Sequence, residues 1–290
     1  MIKKQFLGDE ADLGADKNIS IISAPMARSL SWGPGSEYGP EAIIEASPAL
    51  EVFDDELLFE TVRMGIDTLP TLDFTGKSCD DICQGIDQAV TAELDRKRFP
   101  VLLGGEHTVT VPAVAACLRK YPDLHVLQVD AHLDLRDEYE GDPMSHACVM
   151  RRIHEMGVPF SQVGIRSFSG PEWQLVQENG WQPFLMSRIY RNGDWLEQLS
   201  SEINGPVYIT FDVDGLDPSV VPSTGTPEPG GLFWHEAAGL FKKIAAEHQI
   251  VAMDFVEFSP RPGAEHAAFS VAKLIYRALG YIFEQKLKNQ

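Results

Sequence analysis

An α/β fold, with a parallel sheet and helices on both of its faces, is the architecture this chain predicts. Three observations lead there. Short apolar, β-branched runs alternate with longer amphipathic stretches along the 290 residues. Such repeated strand–helix alternation implies parallel strands joined by crossover helices. No Pro/Gly/Ser-rich linker, low-complexity tract or internal repeat divides the chain, so residues 1–290 are expected to form one domain.

Taken in order, the expected strands are "ISIISA" (19–24), "VRMGI" (62–66), "PVLLG" (100–104), "HVLQV" (125–129), "FSQVGIR" (160–166), "PFLM" (183–186), "VYITFDV" (207–213) and "IVAMDF" (250–255). Between them "CDDICQGIDQAVTAELDRK" (79–97) and "HEAAGLFKKIAAEH" (235–248) read as amphipathic helices. The late segment "FSVAKLIYRALGYIF" is the most apolar, but Lys273 and Arg277 mark it as a packed terminal helix. In parallel sheets ligands bind at the carboxyl ends of the strands, which says where to look for chemistry.

Composition narrows the function class. The chain is 44% hydrophobic and 23% charged, ordinary for a globular protein. Its 43 acids against 24 bases give a formal net charge of −19. That balance disfavours nucleic acid or an anionic membrane as partner and is compatible with metal ions and small cations. An acidic surface that merely aids solubility is the plainer alternative. No run of roughly 18 uncharged apolar residues is present, and "MIKKQFLGDEADLG" lacks the apolar core of a signal peptide. A cytoplasmic location is the resulting expectation. Cys79, Cys83, Cys117 and Cys148 show no second pair at zinc-site spacing and read as reduced thiols.

The strand ends carry the chemistry. After "PVLL" comes "GGEHT", with His107; after "HVLQV" come Asp130, His132 and Asp134. Along an extended chain every second side chain points to the same side, so these three groups would line up. "VYITFDVDGLDP" adds Asp212 and Asp214, and "IVAMDFVEFSP" ends in Glu257. Alone, each is weak: "DVDGLDP" could be a turn and His107 an ordinary hydrogen-bonded histidine. Together they converge on one edge of one sheet. Carboxylates that close raise each other's pKa unless a cation intervenes. Asp130, Asp134, Asp212 and Asp214 with neutral His107 and His132 contribute four negative charges, matching two divalent ions. Oxygen-rich ligation with two imidazoles and no thiolate suits Mn²⁺ better than zinc. A metal pair can turn water into a nucleophile at neutral pH.

"GGEHT", "DAHLD", "SHACVMRR", "DVDGLDPSVVPSTGTPEPGG" and "DFVEFSP" resemble, in order, the motifs of the arginase/agmatinase (ureohydrolase) family, across residues 104–260. The earlier "GPGSEYGPEAI" resembles it too. The resemblance implies a three-layer α/β/α arginase-like fold with a mainly parallel eight-stranded sheet. It implies one manganese on His107, Asp130, Asp134 and Asp212 and a second on Asp130, His132, Asp212 and Asp214, with Asp130 and Asp212 bridging. His146 matches the family's proton-transferring histidine, and Glu257 the carboxylate that orients a substrate guanidinium. A homotrimer or homohexamer is implied as well.

Within the family, agmatinase is the member most resembled, hydrolysing agmatine to putrescine and urea. The loop "LRDEYEGDPMSH" sets Asp137, Glu138, Glu140 and Asp142 against Arg136, and should repel a substrate carboxylate. Ser167 stands where arginases resemble one another in having an aspartate for the substrate α-amino group, which makes it a candidate substrate-binding position. Guanidinobutyrate, guanidine or arginine as substrate, and a catalytically inactive metal-binding paralogue, are the alternatives. A single-zinc deacetylase would leave His107, Asp134 and Asp214 redundant, and a two-metal phosphoesterase would want bases near the metals. The chain departs from the commoner family pattern at Glu106, Met26, Ala27, Glu37 and Ile44. The last four bear on the distal half of the substrate pocket or on a subunit contact.

Overall fold

The computed structural model describes residues 4–14, 16–29 and 33–287, with side chains through residue 284. The first residues of "MIKKQFLGDEADLG" and residues 30–32 of "SAPMARSLSWGPG" lie outside the described residues. The elements run β1 (Ile19–Ala24), α1 (Gly39–Ala46), β2 (Ile66–Thr68), α2 (Cys79–Asp95), β3 (Phe99–Gly104) and α3 (Thr110–Lys120). They continue through β4 (His125–Val129), α4 (Val149–Glu155), β5 (Phe160–Ile165), α5 (Gly170–Asn179), β6 (Phe184–Leu185) and α6 (Met186–Ile189). The last are α7 (Trp195–Glu202), β7 (Val207–Asp212), α8 (Trp234–Glu247), β8 (Ile250–Val256) and α9 (Glu265–Leu287).

Eight strands form one sheet in the order β2-β1-β3-β8-β7-β4-β5-β6, and every pairing is parallel. Alternation along the strands feeds two cores. Ile21, Val101, Leu127 and Ile209 face α1, α7, α8 and α9. Their chain neighbours Ile22, Leu102, Val126 and Tyr208 face α2, α3, α4 and α5. Both faces are therefore covered, which is why the central strands are apolar on both sides. Phe211, Phe255 and Phe241 stack with centroids 5.0 to 6.0 Å apart and tie β7 and β8 to α8. Fully burying a side chain of that size contributes roughly 1.5–3 kcal/mol. The edges are blunted by brevity, since β2 has 3 residues and β6 has 2. No helix is long and apolar enough to cross a membrane among the described residues.

Two expected strands are displaced. The first three residues of "VRMGI" lie in a 3₁₀ turn, Thr61–Met64, and β2 starts only at Ile66. Val62 is buried, but under α9, where its N–H donates to Tyr276 OH at 3.1 Å. Gly65, at φ 75, then turns the chain past the Asp16 carbonyl. At the other edge Met186 leaves the "PFLM" run to begin α6. Apolar content alone does not distinguish sheet burial from burial against a helix.

What matters for function is the centre of the sheet. β3, β8, β7 and β4 lie side by side, and each is followed by one of the acid- or histidine-bearing motifs. Chain order and spatial order diverge between β3 and β4, opening the switch-point crevice such sheets use for ligands.

Candidate metal centre

The "GG" of "GGEHT" is dictated by packing. A Cβ on Gly105 would stand 2.0 Å from the Met26 carbonyl oxygen, so only glycine lets β3 turn sharply there. The turn delivers His107 into the crevice, where it is buried. Its Nδ1 lies 3.2 Å from Asp130 Oδ2, 3.0 Å from Asp134 Oδ2 and 3.6 Å from Asp212 Oδ2. His132 Nδ1 lies 3.4 Å from Asp130 Oδ1 and 3.1 Å from Asp214 Oδ2. Two groups of donors result: His107, Asp130 and Asp212, and Asp130, His132 and Asp214, each with ligand atoms within 4.8 Å of one another. Asp130 is common to both. Asp134 belongs to neither triple but faces His107, and its backbone at φ 51 is left-handed, a conformation aspartate enters at a cost of about 1 kcal/mol.

Backbone amides hold the carboxylates in place. Asp130 Oδ1 accepts from the His132 N–H at 2.6 Å, Asp212 Oδ1 from the Asp214 N–H at 2.8 Å, and Asp214 Oδ1 from the Ala131 N–H at 3.0 Å. Gln128 Nε2 donates to Asp130 Oδ2 at 2.7 Å. Behind His107 runs a buried chain that the sequence reading missed. Thr210 Oγ1 donates to Asp254 Oδ1 at 2.7 Å and lies 2.8 Å from His107 Nε2. Thr110 and Tyr208 donate to the other Asp254 oxygen at 2.8 and 2.6 Å. With the Thr210 hydrogen committed to Asp254, its oxygen accepts from His107 Nε2–H, and the Nδ1 lone pair is left facing the carboxylates. That is the tautomer a metal ligand needs.

The donor set fits divalent cations. His107 Nδ1 is buried and makes no well-directed hydrogen bond, which is costly unless an ion takes the lone pair. Burial opposes charge on His107 and His132, yet the adjoining carboxylates override it. They hold His107 well above its ordinary pKa, and His132 is pushed up to about 12, chiefly by Asp214 and Asp130. Burial and the Asp130 charge push Asp134 up to about 7. Burial, Asp214 and Asp130 raise Asp212 well above the carboxylate range. Asp130 is lowered, because contacts with His107 and His132 outweigh its burial. Acids are thus short of positive charge here, and imidazolium protons supply what divalent ions supply better.

Around this centre lies a cavity of about 340 Å³. Glu257 reaches it from the end of β8 with a left-handed backbone, φ 63, and its Oε1 accepts from the His107 N–H at 2.6 Å. Burial and nearby Glu106 push Glu257 up to about 8. His146 lines the cavity as well. Its N–H donates to Ser29 Oγ at 3.0 Å, and the same oxygen lies 3.1 Å from its Nδ1, so the Ser29 hydrogen is available to that nitrogen. Burial, then the charges of His107 and His132, lower His146 to about 4. Ser29 is itself held through its backbone: the buried Glu106 carboxylate accepts from the N–H groups of Arg28 and Ser29 at 2.5 and 2.6 Å. Glu106 is therefore not idle, although it ligates nothing.

The expectation that the 135–146 loop faces substrate with its acids is corrected. From that loop Arg136 and Tyr139 line the cavity. Asp137 turns outward to Arg151 and Arg152 at 3.7 and 3.0 Å, and Asp142 pairs with Arg28 at 3.5 Å. Glu138 and Glu140 are exposed. The cause is a tight turn in which Tyr139 pairs with Asp142 and Glu140 and Gly141 both take positive φ. Acids from other elements line the cavity instead: Glu172, and Glu228, whose Oε1 accepts from Ser167 Oγ at 2.9 Å. Met26, Ala27, Glu37 and Ile44 line a separate groove of about 810 Å³ that shares no lining residue with the cavity.

Comparison with known proteins agrees with this geometry. A family model described as "Arginase family" matches residues 17–280. An N(1)-aminopropylagmatine ureohydrolase from Synechocystis is 36% identical over 298 residues, covering 99% of this chain and 96% of that protein. An agmatinase from Bacillus subtilis is 33% identical, covering 89% of this chain and 90% of that one. The agmatine ureohydrolase of Thermoplasma volcanium superposes with a TM-score of 0.88 at 26% identity, covering 99% and 97% of the two chains.

Proposed function

The chain belongs to the arginase family, whose members hydrolyse guanidino C–N bonds at a binuclear metal site, and we propose that its substrate is agmatine, released as putrescine and urea. The single observation that carries this reading is Asp130, shared by two donor groups directly beside Glu257 and its hydrogen bond to His107. We assign one ion to His107, Asp130, Asp134 and Asp212 and the other to Asp130, His132, Asp212 and Asp214, with manganese preferred for the oxygen-rich set. When bound, such a pair supplies Lewis-acid polarisation and acidified water.

The chain's own residues do the rest. A guanidinium is planar and forked, and Glu257 can accept two of its N–H groups while placing its carbon over the donor groups. His146, neutral near pH 7, can take up the proton lost by the attacking water. It can then hand it to the departing amine, so that water and the alkylguanidinium give urea and an alkylammonium. Ser29 orients the imidazole, and the Thr210–Asp254 chain fixes the tautomer of His107.

N(1)-aminopropylagmatine is the second reading, favoured by the Synechocystis relative. We further propose a cytoplasmic homotrimer or homohexamer. The deciding experiment is urea release from a panel of guanidino compounds by manganese-loaded protein, with metal analysis alongside. Two manganese ions per subunit and preferred turnover of agmatine or its aminopropyl derivative are the expected results. One tightly bound zinc with full activity would overturn the metal assignment.

A further inference from the structure

We propose that Glu228, held by Ser167, is the residue that receives the substrate's second positive charge, the ammonium carried on the alkyl chain away from the guanidinium. This rests on the amidinohydrolase reading above and names what selects substrates within it. Glu228 and Arg136 both line the cavity. Among the described residues its carboxylate contacts the Ser167 hydroxyl and forms no ion pair. The other acids of the cavity wall differ. Glu172 accepts from the Leu135 and Ser169 amides at 3.2 and 2.9 Å and faces Arg136 at 3.8 Å. Glu257 is engaged by the His107 amide. Glu228 alone among these three presents a negative charge without a backbone or cationic partner for its carboxylate.

The guanidinium of Arg166, bound to the Glu228 backbone, is spent elsewhere. Arg166 donates to the backbone carbonyls of Glu228 and Pro229, at 2.7 and 3.1 Å, and to that of Asp214 at 2.6 Å. It clamps the loop without neutralising the side chain. Asp217 pins the far side, accepting from the N–H groups of Gly230 and Gly231 at 2.8 and 3.2 Å. Two residues earlier, Thr226 Oγ1 touches Asp214 Oδ2 at 3.4 Å, and Ser167 bridges to His132. Glu228 is therefore preorganised just outside the donor groups, where an alkyl chain leaving them would carry an amine. Phe168, stacked on Trp173 with centroids 5.2 Å apart, supplies an apolar wall for the methylenes and a ring face for a cation. A carboxylate-bearing chain end would meet like charge at Glu228, so one side chain both attracts the right substrate and rejects the wrong one.

The test compares agmatine with butylguanidine, which has the same chain length and no ammonium, in wild type and in Glu228→Gln, with thermal unfolding to confirm folding. The ratio of kcat/KM for agmatine to that for butylguanidine should fall roughly 10- to 100-fold in Glu228→Gln, mostly through KM. Ser167→Ala should lower the same ratio less. Calorimetric titration with 1,4-diaminobutane should show weaker binding to Glu228→Gln than to wild type. A ratio unchanged by Glu228→Gln, or a wild type that prefers butylguanidine, would overturn the inference while urea release still upheld the amidinohydrolase reading. Urea from no guanidino compound would overturn that reading itself.

Discussion

The Glu257 carboxylate accepts a 2.6 Å hydrogen bond from the backbone N–H of His107. A candidate guanidinium-binding carboxylate and a candidate metal ligand are thus locked together across two neighbouring strand ends, and the Glu257 N–H returns a bond to the Gly105 carbonyl at 2.8 Å. The pair allows charge and geometry to be separated. Glu257→Gln keeps an oxygen for the His107 amide but loses the charge that faces a guanidinium. We expect metal content to hold while kcat/KM drops roughly 10²-fold or more. Glu257→Ala removes both, so metal retention should weaken too. Wild-type kcat/KM in the Gln variant would show that Glu257 only braces the loop.

His146 separates proton transfer from metal binding. It is absent from both donor groups and is tied to Ser29. In His146→Ala both metals should remain while turnover falls roughly 10²–10⁴-fold, with partial rescue by added imidazole. Ser29→Ala should lower turnover less, because the imidazole stays and only its orientation loosens. Unchanged turnover in His146→Ala would make it an ordinary cavity-wall histidine.

How much of this was legible in the sequence depends on where the information sits. His107, Asp130, His132, Asp134, Asp212 and Asp214 close their strands in short local patterns, and the structure gathers them at one edge. Asp254 was a visible signal, a carboxylate inside the apolar run "IVAMDF", but its purpose was not. It faces Thr210 because β7 and β8 are neighbours with Thr210 and Asp254 in register, and strand–helix alternation says nothing of strand order. Glu106 and Ser29 meet across 77 positions of chain. The acids of the 135–146 loop were misjudged for a related reason. Their charge is written in the sequence, but a two-residue turn decides which way they point.

His125 offers a pH test remote from the metals. It is buried at the start of β4, with Nε2 3.0 Å from Ser161 Oγ. Burial, and secondarily His248, lowers its pKa from an ordinary 6.5 to about 4. The folded state therefore binds fewer protons than the unfolded one between those values. Stability should be lost as pH falls from about 6.5 toward 4, with no further loss below, by about 3 kcal/mol in total. Urea unfolding of wild type and His125→Gln at pH 7 and pH 4.5 measures it as the difference between the two losses. An equal loss in both would mean that the fold leaves the His125 pKa at its unfolded value.

Substrate choice is the sharpest consequence of the cavity. Agmatine and arginine share the guanidinium that Glu257 addresses, so discrimination must arise at the far end, where arginine carries a carboxylate. Beyond the metal ligands and Glu257 the wall offers Glu172 and Glu228 against one arginine, Arg136. That guanidinium faces Glu172 at 3.8 Å and sits 5.4 Å from the centre of the Tyr139 ring, so its charge is already engaged. A substrate carboxylate would have to shed its water beside Glu228 without gaining a free cation. An uncompensated charge of that kind costs a few kcal/mol, roughly 10²-fold or more in kcat/KM. Agmatine should yield urea at least that much more efficiently than arginine, measured on the same manganese-loaded protein. Equal efficiency with arginine would contradict the charge argument. A preference for guanidinobutyrate would mean that Arg136 leaves Glu172 to bind the substrate, and Arg136→Ala should then abolish that preference.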